Sequence, residues 1–182
     1  MKAHWLFPVS NTMHRTGIGE SGIETFKGSP ITSLVREICQ NSLDAVKDES
    51  KPVRVEFKYF EIPRDEFPDR ENLKNTFLQC KTYSETHMKN KDTFFFFENA
   101  INIIEKHSIP IIRISDCNTV GLTGSEKTDE INPWTSLIYS DGISDKDTSS
   151  GGSFGIGKNA IFVCSGFRTL FYSTLDIENK KA

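Results

Sequence analysis

The stretch ITSLVREICQNSLDAVK, residues 31–47, decides how the rest of the chain is read. Wound at about 100° per residue, it gathers Ile31, Leu34, Val35, Ile38, Ala45 and Val46 into one apolar stripe. That stripe is expected to be the core face of a helix. Ser29 and Pro30 stand just before it, a capping hydroxyl followed by a proline at the first helical position. Glu37, Asn41 and Asp44 fall at i, i+4 and i+7, so they stack along a second, polar line. An ordinary solvated face would give the same pattern. The alternative is a line of side chains at the rim of a site.

Outward from this helix, residues 53–60 alternate Val53, Val55, Phe57 and Tyr59 with Arg54, Glu56 and Lys58, the period of a strand with one buried face. Residues 61–91 are charged and hold two prolines; a helix is expected around Leu73, Phe77 and Leu78, in a peripheral insertion. Asp92 or Thr93 can cap a further helix carrying Phe94, Phe95, Phe96, Phe97, Ile101 and Ile104, an aromatic run suited to core packing. Residues 109–115 then read as a short buried strand that delivers Asp116 at its carboxyl end. A long polar stretch, 117–151, follows, with a helical piece expected at 134–139; loops of this length in a compact domain usually carry function. Order returns with a glycine turn into a short helix, and residues 167–174 read as another strand. At the amino end, residues 1–30 run from an apolar segment into a glycine-bearing arm. Gly17, Gly19 and Gly22 match G-x-G-x-x-G, but neither a preceding strand nor a following helix is evident, as a dinucleotide site requires.

With 182 residues the chain suits one domain, large enough to bury roughly 70% of its unfolded surface without staples. Cys39, Cys80, Cys117 and Cys164 form no C-x-x-C pair and no cluster with the histidines, which points to free thiols in the cytoplasm and to no zinc. A net charge of −3 gives no overall attraction for nucleic acid. No run is apolar enough to cross a membrane.

Two downstream segments give the polar line its meaning. SDCNTVGLTG, residues 115–124, places Asp116 at a strand end before a sharp turn, and residues 152–158, GSFGIGK, strip β-carbons from a loop so that successive N–H groups can face phosphates. The second also fits a P-loop, except that Asn159 stands where Mg²⁺ needs Ser or Thr and a hydrophilic run stands where a buried strand is needed. In this order, E-x-x-x-N-x-x-D-A at Glu37, Asn41, Asp44 and Ala45, the Asp116 motif and the glycine motif resemble the GHKL ATPases, the superfamily of the gyrase B subunit, the ninety-kilodalton heat-shock chaperone, the sensor histidine kinases and MutL.

The resemblance, over about residues 25–175, implies a Bergerat fold: a two-layer α/β sandwich with a mixed sheet covered on one face by helices. It implies ATP and Mg²⁺ as ligands, with ADP as product. Glu37 would be the general base, Asn41 would supply Mg²⁺ with a side-chain oxygen, Asp44 would organise water near the ribose or the adenine side, and Asp116 would accept from the adenine amino group. Gly152, Gly155, Ile156, Gly157 and Lys158 would wrap the phosphates, with 117–151 as lid. In the second motif Asn118 replaces the first glycine and Gly121 falls one residue late; asparagine tolerates the left-handed conformation such a turn needs. The resemblance further implies that the chain is the amino-terminal piece of a larger, dimeric protein, since only LDIENKKA follows the 167–174 strand where the family's sheet continues. Trp5-Leu6-Phe7 is then a candidate dimer contact or an edge strand of its own domain, and partner subunits or nucleic acid would be reached through further domains. A nucleotide-gated module with negligible hydrolysis is the alternative; a histidine-kinase catalytic domain is disfavoured because no helix with a phosphoacceptor histidine precedes the motifs.

Overall fold

The computed structural model describes residues 3–7, 21–139 and 157–182. Its elements are α1 (Ser21–Phe26), α2 (Pro30–Asp44), β1 (Arg54–Pro63), a 3-10 turn (Arg64–Glu66), α3 (Arg70–His87), α4 (Asp92–Ile104), β2 (Ser108–Cys117), α5 (Pro133–Ile138) and α6 (Asn159–Cys164). The chain is thus of mixed helix and strand. The expected Bergerat sandwich is not what the described residues form: their sheet has two antiparallel strands, β1 and β2. Two compact units divide the chain, one made of Phe57–Arg113 with the amino-terminal segment, the other of Ser21–Glu56 and Ile114–Ala182.

The first unit is built on α3 packed against α4. Four consecutive phenylalanines point around most of a helix circumference, so α4 cannot bury them all; Phe95 is 60% exposed while Ala100, Ile101 and Ile104 go inside. They meet Leu73 and Phe77 of α3, together with Phe67 and Ile109, as this unit's buried residues. Ile104 and Ile109 are almost wholly sealed, each worth about 1.5–3 kcal/mol of transfer free energy. Arg70 Nε donates to Ile104 O at 3.0 Å and Lys74 pairs with Glu105 at 2.6 Å, placing cations at the carbonyl end of α4 where its dipole is negative. The amino-terminal segment is pinned here by Trp5, whose indole N–H donates to Pro68 O at 3.0 Å, whose backbone N–H donates to Asp69 Oδ2 at 3.1 Å, and whose ring stacks on Phe67. Leu6 and Phe7 stay exposed.

In the second unit α6 packs on both α1 and α2. α1 was not expected: the glycine-bearing arm turns helical at Ser21, and Gly22 sits so close to α6 that a Cβ would collide with the Asn159 side-chain amide. Gly17 and Gly19 lie outside the described residues. The burial of α2 corrects the expected stripe. Leu34 goes inside, but Ile31 is 60% exposed and Val35 is exposed too, and the inward line is completed by Ser33 and Ser42. A serine can replace an aliphatic side chain there because its hydroxyl finds acceptors, Ile38 O and Asp116 in the case of Ser42.

The strands are likewise more open than their patterns imply. Phe57 and Tyr59 of β1 and Ile112 of β2 are exposed, since a two-stranded sheet buries a face only where another element covers it. The expected 167–174 strand is not formed; Arg168 adopts φ +50°, and the chain beyond pairs back on itself through a bridge between Leu175 and Lys181 and hydrogen bonds between Thr174 and Ala182. The last residues therefore do make a return, tightened by Asp176 Oδ1 accepting from the N–H groups of Glu178 and Lys180.

Candidate functional site

Every described residue of the three motifs belongs to the second unit, and α2 is the element they share. Along its polar line the environment grades from sheltered to open. The Glu37 side chain is 16% exposed, with Arg36 Nη2 3.4 Å from Oε1. Asn41 and Asp44 are exposed, and Asp44 Oδ1 accepts from Gln40 Nε2 at 2.7 Å, one helical turn earlier.

The second motif reaches α2 through a residue the sequence reading passed over. Ser42 Oγ lies 2.9 Å from Ile38 O and 3.3 Å from Asp116 Oδ2, so its single hydrogen is shared between them. Asp116 itself is exposed, not buried as the strand pattern suggests. Beyond it the chain is zipped to the end of α2: Val120 N–H donates to Ala45 O at 2.9 Å, Lys47 N–H to Asn118 O at 3.0 Å, and Val46 bridges Thr119. Asn118 takes up the left-handed conformation, φ +65°, and both hydrogens of its Nδ2 go to carbonyls, Asp48 O and Lys51 O, each at 2.9 Å. Its side chain is spent on the 48–51 turn, where hydrogen bonds from Lys51 and then Ser50 hold the Asp48 carboxyl below the usual carboxylate range.

Gly121 also has positive φ, +70°, and a Cβ there would lie 2.8 Å from both Leu175 O and Asp176 Cα. The space that the resemblance reserves for a base is bounded at this glycine by the chain's own return. Leu122 N–H donates to Thr174 Oγ1 at 2.9 Å and Ile177 N–H to Val120 O at 3.0 Å. Thr174 thus stands beside the second motif. Asp176 is buried, and its Oδ2 has no hydrogen-bond partner among the described residues. No local pattern marks Ser42 or Thr174, because their significance lies in contacts 74 and 52 residues away in sequence.

Of the third motif only Gly157 and Lys158 are described; Gly152, Gly155 and Ile156 lie outside. Gly157 is buried and its carbonyl accepts from Ala160 N–H at 3.1 Å, turning the chain into α6. The helix this motif leads into, α6, packs on α2.

Among the described residues no three His, Cys, Asp or Glu side chains gather as metal ligands. Mg²⁺ in a nucleotide site needs only one or two protein oxygens besides phosphates and water, and the exposed Asn41 amide can serve as one. A shallow depression lies elsewhere, in the first unit, lined by Gln79, Cys80, Tyr83, Met88 and Phe97. No helix among the described residues is long and apolar enough to cross a membrane. Family models, characterised proteins and solved structures give no match to this chain.

Proposed function

We propose that the chain is an ATP-binding, Mg²⁺-dependent ATP-hydrolysing domain of GHKL type, part of a dimeric protein whose nucleotide cycle drives conformational change. The observation that supports this most is the Ser42–Asp116 hydrogen bond. It joins the carboxylate of the second motif to the helix of the first, across a separation in sequence that local pattern cannot bridge. The proposal stands on the site residues and does not require the full sandwich.

In this reading the residues divide the work by their setting. Glu37, sheltered at the inner end of the polar line, takes the proton of the attacking water; Asn41, one turn on, offers its amide oxygen to Mg²⁺. When bound, Mg²⁺ neutralises charge on the phosphate oxygens. Asp116 accepts from the adenine amino group while Ser42 orients it, and Asp44 holds water at the open end. Gly152, Gly155, Ile156, Gly157 and Lys158 wrap the phosphates through backbone N–H groups and one cation. Hydrolysis of this kind asks for positioning and charge compensation more than for covalent help.

Single-turnover hydrolysis by the wild type and by Glu37→Ala tests the assignment. The variant is expected to lose hydrolysis while ATP affinity stays within about tenfold, since only transition-state help is removed. Hydrolysis at the wild-type rate would remove Glu37 from the base role, and binding without turnover in the wild type would mark the chain as a nucleotide-gated module.

A further inference from the structure

The outer edge of β1 is unpaired among the described residues, since the sheet contains β1 and β2 alone and neither isolated bridge involves β1. The register with β2 fixes which β1 groups look outward. Arg64 N–H donates to His107 O at 3.0 Å just past one end of the sheet, and Arg54 faces Cys117 at the other. The even-numbered residues of β1 are therefore the ones bonded to β2, and in an antiparallel ladder the alternate residues turn their N–H and C=O groups the other way. Those of Val55, Phe57, Tyr59 and Glu61 point to the outer edge. By the same alternation Pro110, opposite Glu61, places its donor-less nitrogen on the outer edge of β2, which blunts that edge. β1 has no such guard before Pro63.

The side chains of β1 are patterned to match. One face carries Val55, Phe57 and Tyr59, of which Phe57 is 41% and Tyr59 63% exposed. The other carries Arg54, Glu56 and Lys58, all exposed. We propose that two copies of this chain pair β1 to β1, antiparallel, about a two-fold axis at Phe57, forming a continuous four-stranded sheet. In that register Glu56 of each copy opposes Lys58 of the other, Val55 opposes Tyr59, and Phe57 opposes its own equivalent. Its outward N–H and C=O groups are the ones that meet. Centring the pair on Glu56 instead sets Glu56 against Glu56 and Arg54 against Lys58; centring it on Lys58 sets Lys58 against itself. Like charges directly opposite destabilise a sheet, while centring on Val55, which opposes Arg54 to Glu56, pairs only residues 54–56 of the strand, so charge and overlap together select the Phe57 register. Such an interface is isologous, the commonest form of a closed dimer, and it turns a marginal two-stranded ribbon into a sheet of stable size. It does not depend on the nucleotide reading.

Sedimentation velocity of the full chain from micromolar to submillimolar concentration tests the proposal, with Glu56→Lys, Lys58→Glu and the double variant carrying both changes. The wild type is expected to dimerise. Each single reversal converts two opposed attractions into repulsions and should raise the dimer Kd about tenfold or more, while the double variant should associate more tightly than either single variant because the opposed residues are again of opposite sign. Circular dichroism of each variant checks that it is folded. A wild type that stays monomeric throughout, or a dimer indifferent to the single reversals, overturns the β1 interface. A double variant no better than the singles overturns the register.

Discussion

Replacing Gly121 by alanine separates two uses of that glycine. With φ at +70°, an alanine there costs about 1–2 kcal/mol relative to glycine, because its Cβ crowds the following carbonyl. The Cβ would also lie 2.8 Å from Asp176 Cα and from Leu175 O, both backbone atoms that no rotamer change can move. Ordinary carbon contacts lie at about 3.5–4.0 Å, so the return around Asp176 must retreat by more than half an ångström, an overpacking worth about 1–3 kcal/mol. Together the loss is about 2–5 kcal/mol, a large share of a typical domain's stability of about 5–15 kcal/mol. Urea unfolding followed by circular dichroism measures it, and thermal unfolding should shift down by about 2–4 °C per kcal/mol. If Gly121 served only to admit a ligand, the variant would bind nucleotide poorly yet unfold within about 0.5 kcal/mol of the wild type. That result would refute the packing of the return against this turn.

Other changes read other parts of the account. Asn118→Ala strands two carbonyls and leaves alanine at φ +65°, for an expected loss of about 2–4 kcal/mol in the same unfolding assay. Asp116→Ala should weaken ATP and ADP alike and narrow the preference for ATP over GTP; unchanged affinities by calorimetry would remove Asp116 from the site. Glu105 is held below the usual glutamate range, first by its hydrogen bond to Lys74. A carboxyl whose folded pKa is depressed contributes stability above the unfolded value, about 4.3, and loses it as pH falls through the folded value. Lys74→Met should therefore flatten the acid limb of a stability–pH profile below about pH 5, and an unaltered profile would show that the pair contributes nothing there.

What the sequence made legible was local and periodic. α2, β1, α3, α4, β2, α5 and α6 all stand where spacing and turn residues put them, because Pro30 opens a helix and an alternating run has few options other than strand; the expected caps do not form, since Ser29 makes no side-chain cap bond and Lys91 stands at the N-cap of α4. What remained hidden was set by partners. Helical spacing offered Ile31 and Val35 as core residues, yet the side chains of α2 that are buried are Ser33, Leu34 and Ser42, and the two aliphatic side chains stay outside. Phe57 and Tyr59 alternate correctly and still lie exposed, since alternation says which residues share a face and not what covers it. In the candidate site Glu37, Asn41 and Asp44 were visible as a line on one helix. The contact that gives them a carboxylate neighbour, through Ser42, and the return that fills the space at Gly121 depend on long-range folding and left no mark in any motif.

The claim on which the functional account turns is nucleotide binding at α2, and isothermal titration of the chain with ATP, with and without Mg²⁺, tests it directly, using Asn41→Ala as the paired variant. The account predicts saturable one-to-one binding that Mg²⁺ tightens in the wild type, and binding that no longer responds to Mg²⁺ in the variant. No saturable binding by the folded wild type, or a response to Mg²⁺ that survives the loss of the Asn41 amide, would contradict it.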